Sequence, residues 1–176
     1  MKAIDFWLDI LKEFPHWKQV LKRDKLCFSV TSSINYARNS VDKIDFVRPV
    51  RNKEDLQRYS RLRFITKGKN GKYPVEEKET TYYFDSTTRT HYWRYMSGNT
   101  LLRFFAYDTG DTLHYKVTQM LNAYGDDKCV VFDDLGEDSE SANITVSGRR
   151  LAFGKFELLH GVHSALQNRY GVPFPG

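Results

Sequence analysis

Residues 80–107 read TTYYFDSTTRTHYWRYMSGNTLLRFFAY, and this stretch decides the fold class. Three aromatic or β-branched runs, at 80–84, 91–96 and 100–107, are separated by short polar segments, the last being Ser97-Gly98-Asn99. Successive strand residues point to opposite faces, so His91, Trp93 and Tyr95 share one side and Tyr92, Arg94 and Met96 the other. Connections this short join antiparallel neighbours but not parallel ones. The stretch therefore predicts an antiparallel β-meander with one face in the core.

Downstream, Asp111 opens a helix whose Leu113, Val117, Met120, Leu121 and Tyr124 form an apolar stripe ended by Gly125, and one face of the meander is expected to rest on it. Short strands at 129–132, 144–147 and 151–153 follow, then a helix over 155–170 stopped by Gly171, with Pro173 and Pro175 beyond. Upstream, Ile4, Trp7, Leu8, Leu11 and Phe14 recur at helical spacing before Pro15. Leu26, Phe28 and Val30 alternate as a strand, and Ser32 or Ser33 is expected to cap a helix carrying Ile34, Ala37, Val41 and Ile44. Asn52 and Asp55 predict another helix through Leu56 and Tyr59 that displays Arg51, Arg58 and Arg61. The expectation is one α+β domain over residues 1–176, an antiparallel β-meander packed against helices, with an N-terminal helical segment and a C-terminal helix.

A chain of 176 residues with 40% apolar and 15% aromatic content has enough material for a core. No run approaches the roughly 20 apolar residues of a membrane span, and Asp5, Asp9 and Glu13 interrupt the N-terminal pattern where a signal peptide needs an unbroken apolar stretch. These features predict a cytoplasmic protein, of a cell or of a host, with no membrane partner. On that basis Asn143-Ile144-Thr145 carries no weight as a glycosylation acceptor. Cys27 and Cys129 lie in apolar strand-like runs and are expected to be buried free thiols.

Charge is segregated. Residues 1–75 hold 17 basic and 8 acidic groups, a balance of +9, and residues 76–176 hold 10 and 14, a balance of −4. Between Arg48 and Lys72 stand nine basic side chains, Arg48, Arg51, Lys53, Arg58, Arg61, Arg63, Lys67, Lys69 and Lys72, against Glu54 and Asp55. Cations in such a block can neutralise phosphates and release condensed counterions, which supplies sequence-independent affinity for nucleic acid. In Lys67-Gly68-Lys69-Asn70-Gly71-Lys72, two glycines let the backbone approach a phosphate among three ammonium groups. The motif lacks the Gly-Lys-Ser/Thr ending of a Walker loop. Tyr92, Arg94 and Arg103 on the meander are candidates to stack or flank bases. The opposing reading of the block is a solvated surface.

The acidic counterpart runs from Asp126 to Glu140, where Asp133, Asp134, Glu137, Asp138 and Glu140 form its densest part. Its readings are a solvated loop facing the basic block of the same or a neighbouring chain, a mimic of phosphate spacing that grips a basic partner, and a hard-cation site. Glu157, His160 and His163 recur every three residues on the last helix, but no second Glu-x-x-His on a clean helix completes a di-iron pattern. Glu76-Glu77-Lys78 contains the common Glu-x-Lys triplet without a placed aspartate, and no nucleophile elbow is present.

The leading expectation is a noncatalytic accessory or regulatory protein that binds nucleic acid through Arg58, Arg61, Arg63, Lys67, Lys69 and Lys72, with Tyr92, Arg94 and Arg103 nearby and no metal or cofactor. One alternative is an interaction module or inhibitor whose Asp133, Asp134, Glu137, Asp138 and Glu140 hold a basic nucleic-acid-processing protein. Another is a metal-dependent enzyme acting on a phosphorylated substrate. Association of copies through their acidic and basic faces is a further expectation.

Overall fold

The computed structural model describes residues 27–41, 57–98, 100–124 and 129–171. The expected N-terminal helical segment and the cations Arg48, Arg51 and Lys53 lie outside the described residues. Within them the protein is mixed α and β, and the meander is present. Strands β1 (Cys27–Thr31), β2 (Ile34–Val41) and β3 (Gln57–Tyr59) lead to the one-turn helix α1 (Arg61–Phe64). A 3-10 turn at Pro74–Glu76 precedes β4 (Thr81–Asp85), β5 (Thr90–Ser97) and β6 (Thr100–Tyr107). Helix α2 (Gly110–Tyr124), β7 (Cys129–Asp133), a 3-10 turn at Leu135–Asp138, β8 (Ala142–Val146), β9 (Arg149–Phe153) and helix α3 (Glu157–Tyr170) complete the order.

Five strands form one antiparallel sheet in the order β3-β2-β6-β5-β4, so β4, β5 and β6 are the expected consecutive neighbours. The Trp93 side of the meander is the buried one. Trp93 pairs with Phe105 across β5 and β6, and Tyr36 pairs with Phe105 from β2. Phe64 of α1 lies with its ring centroid 5.4 Å from Phe105 and 5.6 Å from Tyr107. The β8–β9 hairpin closes this core with Ile144, Val146, Leu151 and Phe153. Aromatic pairs at such separations add about 0.5–1.5 kcal/mol each to the burial of their area.

The helix expected after Ser33 is instead β2. Its residues fit both periods, since Ile34 and Tyr36 alternate while Ile34, Ala37 and Val41 recur at helical spacing. Pairing decides the case: Asn35, Tyr36 and Ala37 lie in register with Ala106, Phe105 and Phe104 of β6, which puts the Tyr36 ring 4.8 Å from Phe105. The helix expected through Leu56 and Tyr59 is likewise replaced, over its described part, by β3. That strand runs along β2 and is followed by Ser60, whose hydroxyl accepts from the Arg63 N–H and caps α1.

The stripe of α2 does not lie against the meander core. Leu113, Val117, Met120 and Leu121 pack with Leu158, Val162 and Ala165 of α3, and Phe28, Val30, Val130 and Phe132 of the parallel pair β1–β7 cover them. The two helices meet through glycine, because a Cβ at Gly161 would collide with the Gly110 backbone. This second core accounts for the stripe.

The cysteines are paired, which corrects the expectation of buried free thiols. Register across β1 and β7 sets Cys27 opposite Cys129 at a Cα separation of 4.4 Å, and a disulfide joins them. Cys27 is exposed, so its strand does not bury a thiol. Such bonds persist in oxidising surroundings. Protein purified without reductant and then denatured should show no titratable thiol, and reduction should lower the unfolding free energy by about 2–4 kcal/mol. Two titratable thiols before reduction would contradict the pairing.

Candidate polyanion-binding site

The basic block does not present one continuous surface. Arg58 on β3 is exposed, yet its guanidinium lies 2.7 Å from Asp133 and 3.1 Å from Asp134. Arg61, expected to face phosphate from a helix surface, is 1% exposed. Its guanidinium pairs with Glu157, donates to the Asp108 carbonyl at 3.2 Å, and places Nε 3.8 Å from Asp138 Oδ1. It also lies over the Phe153 ring at 4.8 Å. Arg61 is therefore a core cation and is unavailable to a phosphate. A buried charge is tolerated only with partners, and Arg61 has two carboxylates and a carbonyl.

The acidic tract supplies those partners. Asp138 is fully buried, and its Oδ2 accepts from the Leu158 and Leu159 N–H groups at 3.0 and 3.1 Å, capping α3 in place of Phe156, which stands at the N-cap without a capping side chain. Glu137 accepts from the Ser60 hydroxyl at 2.7 Å and the Leu62 N–H at 3.1 Å, so it caps α1. Asp134 accepts from the Ser33 hydroxyl at 2.7 Å. That bond first, with help from Arg58 and Thr31, holds its carboxyl below the usual range. Asp138, being buried, cannot grip a separate protein, which corrects its place among the partner-binding residues. Glu140 remains exposed.

Beyond Arg61 the block opens to solvent. Arg63, Lys67, Lys69 and Lys72 are all exposed, and none forms an ion pair among the described residues. The turn that carries the lysines is closed by Gly68 N–H to Lys72 carbonyl at 2.8 Å, Gly71 N–H to Gly68 carbonyl at 2.9 Å, and Lys72 N–H to Asn70 Oδ1 at 3.0 Å. Gly71 takes φ of +73°, a left-handed conformation in which glycine avoids the strain of a side chain. Arg63 lies 5.2 Å over the Tyr59 ring and Lys67 lies 5.5 Å over Tyr73, which restrains both cations before any ligand arrives.

The sheet residues do not gather as expected. Tyr92 and Arg94 lie on one face, where Arg94 stands 4.0 Å over the Tyr83 ring. Arg103 pairs across the sheet with Tyr95, so it shares the opposite face with Phe105 and bonds Glu77 at 2.9 Å. One residue of register separates a flanking contact from a core-edge ion pair.

Sequence reasoning missed a larger concavity. A cleft of about 980 Å³ opens between the β4–β5 end of the sheet, the first turn of α2, strand β9 and the start of α3. Arg89, His91, His114, Arg149, Lys155 and His160 line it, together with aromatic and small residues. Burial pushes the His91 imidazole down, and a 2.7 Å hydrogen bond joins its Nδ1 to the Tyr82 hydroxyl. These side chains are dispersed over more than seventy positions of sequence, so no local motif announces them. Among the described residues, no three His, Cys, Asp or Glu side chains converge on a metal position. Glu157, expected beside His160 and His163, turns instead to Arg61 and to the Gly154 N–H. No protein-family model, curated protein or solved structure matches the chain.

Burial pushes the Asp138 and Glu157 carboxyls up, while Arg61 and backbone N–H groups pull them down. The fold thus holds these protons more tightly than the unfolded chain does. Their contribution to stability is full below the usual carboxylate range and declines as pH rises through it toward the raised values. Arg61→Met should cost about 3–5 kcal/mol near neutral pH, because the buried Asp138 and the half-buried Glu157 lose their cation. At about pH 4, where carboxyls begin to protonate, the cost should shrink. Denaturant titration at both pH values checks this, and an equal cost at both would contradict it. Arg58→Ala should leave the midpoint near that of the parent.

Proposed function

We propose that the protein is a noncatalytic, nucleic-acid-binding accessory or regulatory factor that uses Arg63, Lys67, Lys69 and Lys72 as its phosphate contacts. The observation that carries this reading is the division of the basic block. The cations nearest the acidic tract are matched by the chain's own carboxylates, whereas Arg63 on α1 and the three lysines of the closed turn stand exposed without an ion pair among the described residues. An unpaired cation can exchange counterions for phosphate without first breaking an internal ion pair. With Arg103 turned away and Tyr92 and Arg94 on the other face, the support is for backbone contact and not for base reading.

The alternative in which the acidic tract grips a basic partner has less support, since Asp133, Asp134, Glu137 and Asp138 already serve Arg58, α1 and α3. The same pairing leaves less charge for association of copies through acidic and basic faces. No helix among the described residues is long and apolar enough to cross a membrane.

Fluorescence anisotropy with labelled single- and double-stranded DNA and RNA over a salt series tests the reading. If about four phosphates are neutralised, log affinity should fall against log salt with a slope of about −3 on single strands and about −3.6 on duplex DNA. Reversal of Lys67, Lys69 and Lys72 to Glu should weaken all sequences alike. Absence of binding at low salt, or binding indifferent to those reversals, would refute the proposal.

A further inference from the structure

The cleft beside the sheet is separate from the lysine turn, and the two share no lining residue. Its cations arrive from three elements. Arg89 comes from the β4–β5 turn, Arg149 from β9, and Lys155 from the segment before α3. Two of them are held by rings: Arg149 lies 3.6 Å over Tyr82 and Arg89 lies 4.7 Å over Tyr115. Arg89 also keeps φ of +50°, a left-handed conformation where glycine would be unstrained, so a long cationic side chain occupies a position that backbone preference alone would not give it.

Two carboxylates line the same space, Asp111 and Glu157. Glu157 is matched by Arg61, which leaves Asp111 alone against three cations. The balance favours an anion. The volume exceeds what a bare phosphate needs and falls in the range of sites for small molecules. Phe84, 41% exposed, offers a flat apolar surface on the wall, with the His91 ring 4.8 Å from it. A ring lining the same cleft as three cations matches a ligand that is planar at one end and phosphorylated at the other.

We propose that this cleft binds a nucleoside phosphate, with Arg89, Arg149 and Lys155 on the phosphates, the base against Phe84, and the Asp111 carboxylate accepting from a ribose hydroxyl or a base amino group. The site goes beyond contact with a nucleic-acid backbone and stands whether or not the lysine turn binds a polymer.

Isothermal titration of the full chain with ADP, GDP, CDP and UDP tests it, with the matching nucleosides and inorganic pyrophosphate as separate arms. At least one diphosphate should bind with a submillimolar Kd, and its nucleoside and pyrophosphate should each bind at least about tenfold more weakly. Arg89→Gly removes a cation while relieving its backbone, so the fold should persist, and affinity should fall about tenfold or more. Lys78→Glu, at an exposed position outside the cleft, should leave the Kd unchanged. No binding of any diphosphate at millimolar concentration, pyrophosphate binding as tightly as the diphosphate, or affinity indifferent to Arg89→Gly would each overturn the proposal. Failure here would leave the salt dependence of polymer binding untouched, and the reverse also holds.

Discussion

The buried guanidinium of Arg61 is the interaction on which the arrangement of the chain depends. It lies where α1, the acidic turn, the end of β6 and the start of α3 converge, bonded to Glu157 and the Asp108 carbonyl and close to Asp138. A lone arginine in this position would be costly, and so would two lone carboxylates. Together they tie the basic block to the acidic tract, with Arg61 and Asp138 separated by 77 positions of sequence. Asp138 serves two elements at once, since one oxygen caps α3 and the other faces Arg61. Removing either charge would therefore disturb both a helix end and the aromatic core beside Phe153.

This internal pairing determines which charges remain for function. Arg58 and Arg61 belong to the contact between the two oppositely charged segments, and among the described residues of the block the cations without a carboxylate partner are Arg63, Lys67, Lys69 and Lys72. On the proposed reading a polyanion would meet the lysine turn, whose cations form no ion pair among the described residues. Within the acidic tract Asp133, Asp134, Glu137 and Asp138 act as caps and counterions. Charge segregation along the sequence thus reflects a fold contact as much as an outward-facing field.

The meander, α2, the β8–β9 hairpin and the last helix are legible from local pattern, because strand alternation, the stripe from Leu113 to Leu121, and glycines at turns and ends each act over a few residues. Segment 34–41 is not, because its apolar residues satisfy two periods and only pairing with β6 selects one. Arg61 reads as surface for a similar reason. Its neighbours Arg58 and Arg63 are exposed, and nothing nearby in sequence reveals Asp138 and Glu157 as partners. Arg103 differs from the expected arrangement by the register of one strand pair. The cleft is still less legible, since Arg89, Arg149 and Lys155 come to line one space only after the hairpin and the two helices have packed.

A double-mutant cycle between Arg61 and Asp138, read by denaturant unfolding of the parent, Arg61→Met, Asp138→Asn and the double variant, tests the pairing of basic block and acidic tract most directly. Coupled charges in a buried site should make the double variant less destabilised than the sum of the single ones by at least about 1 kcal/mol. Additive losses would contradict the account.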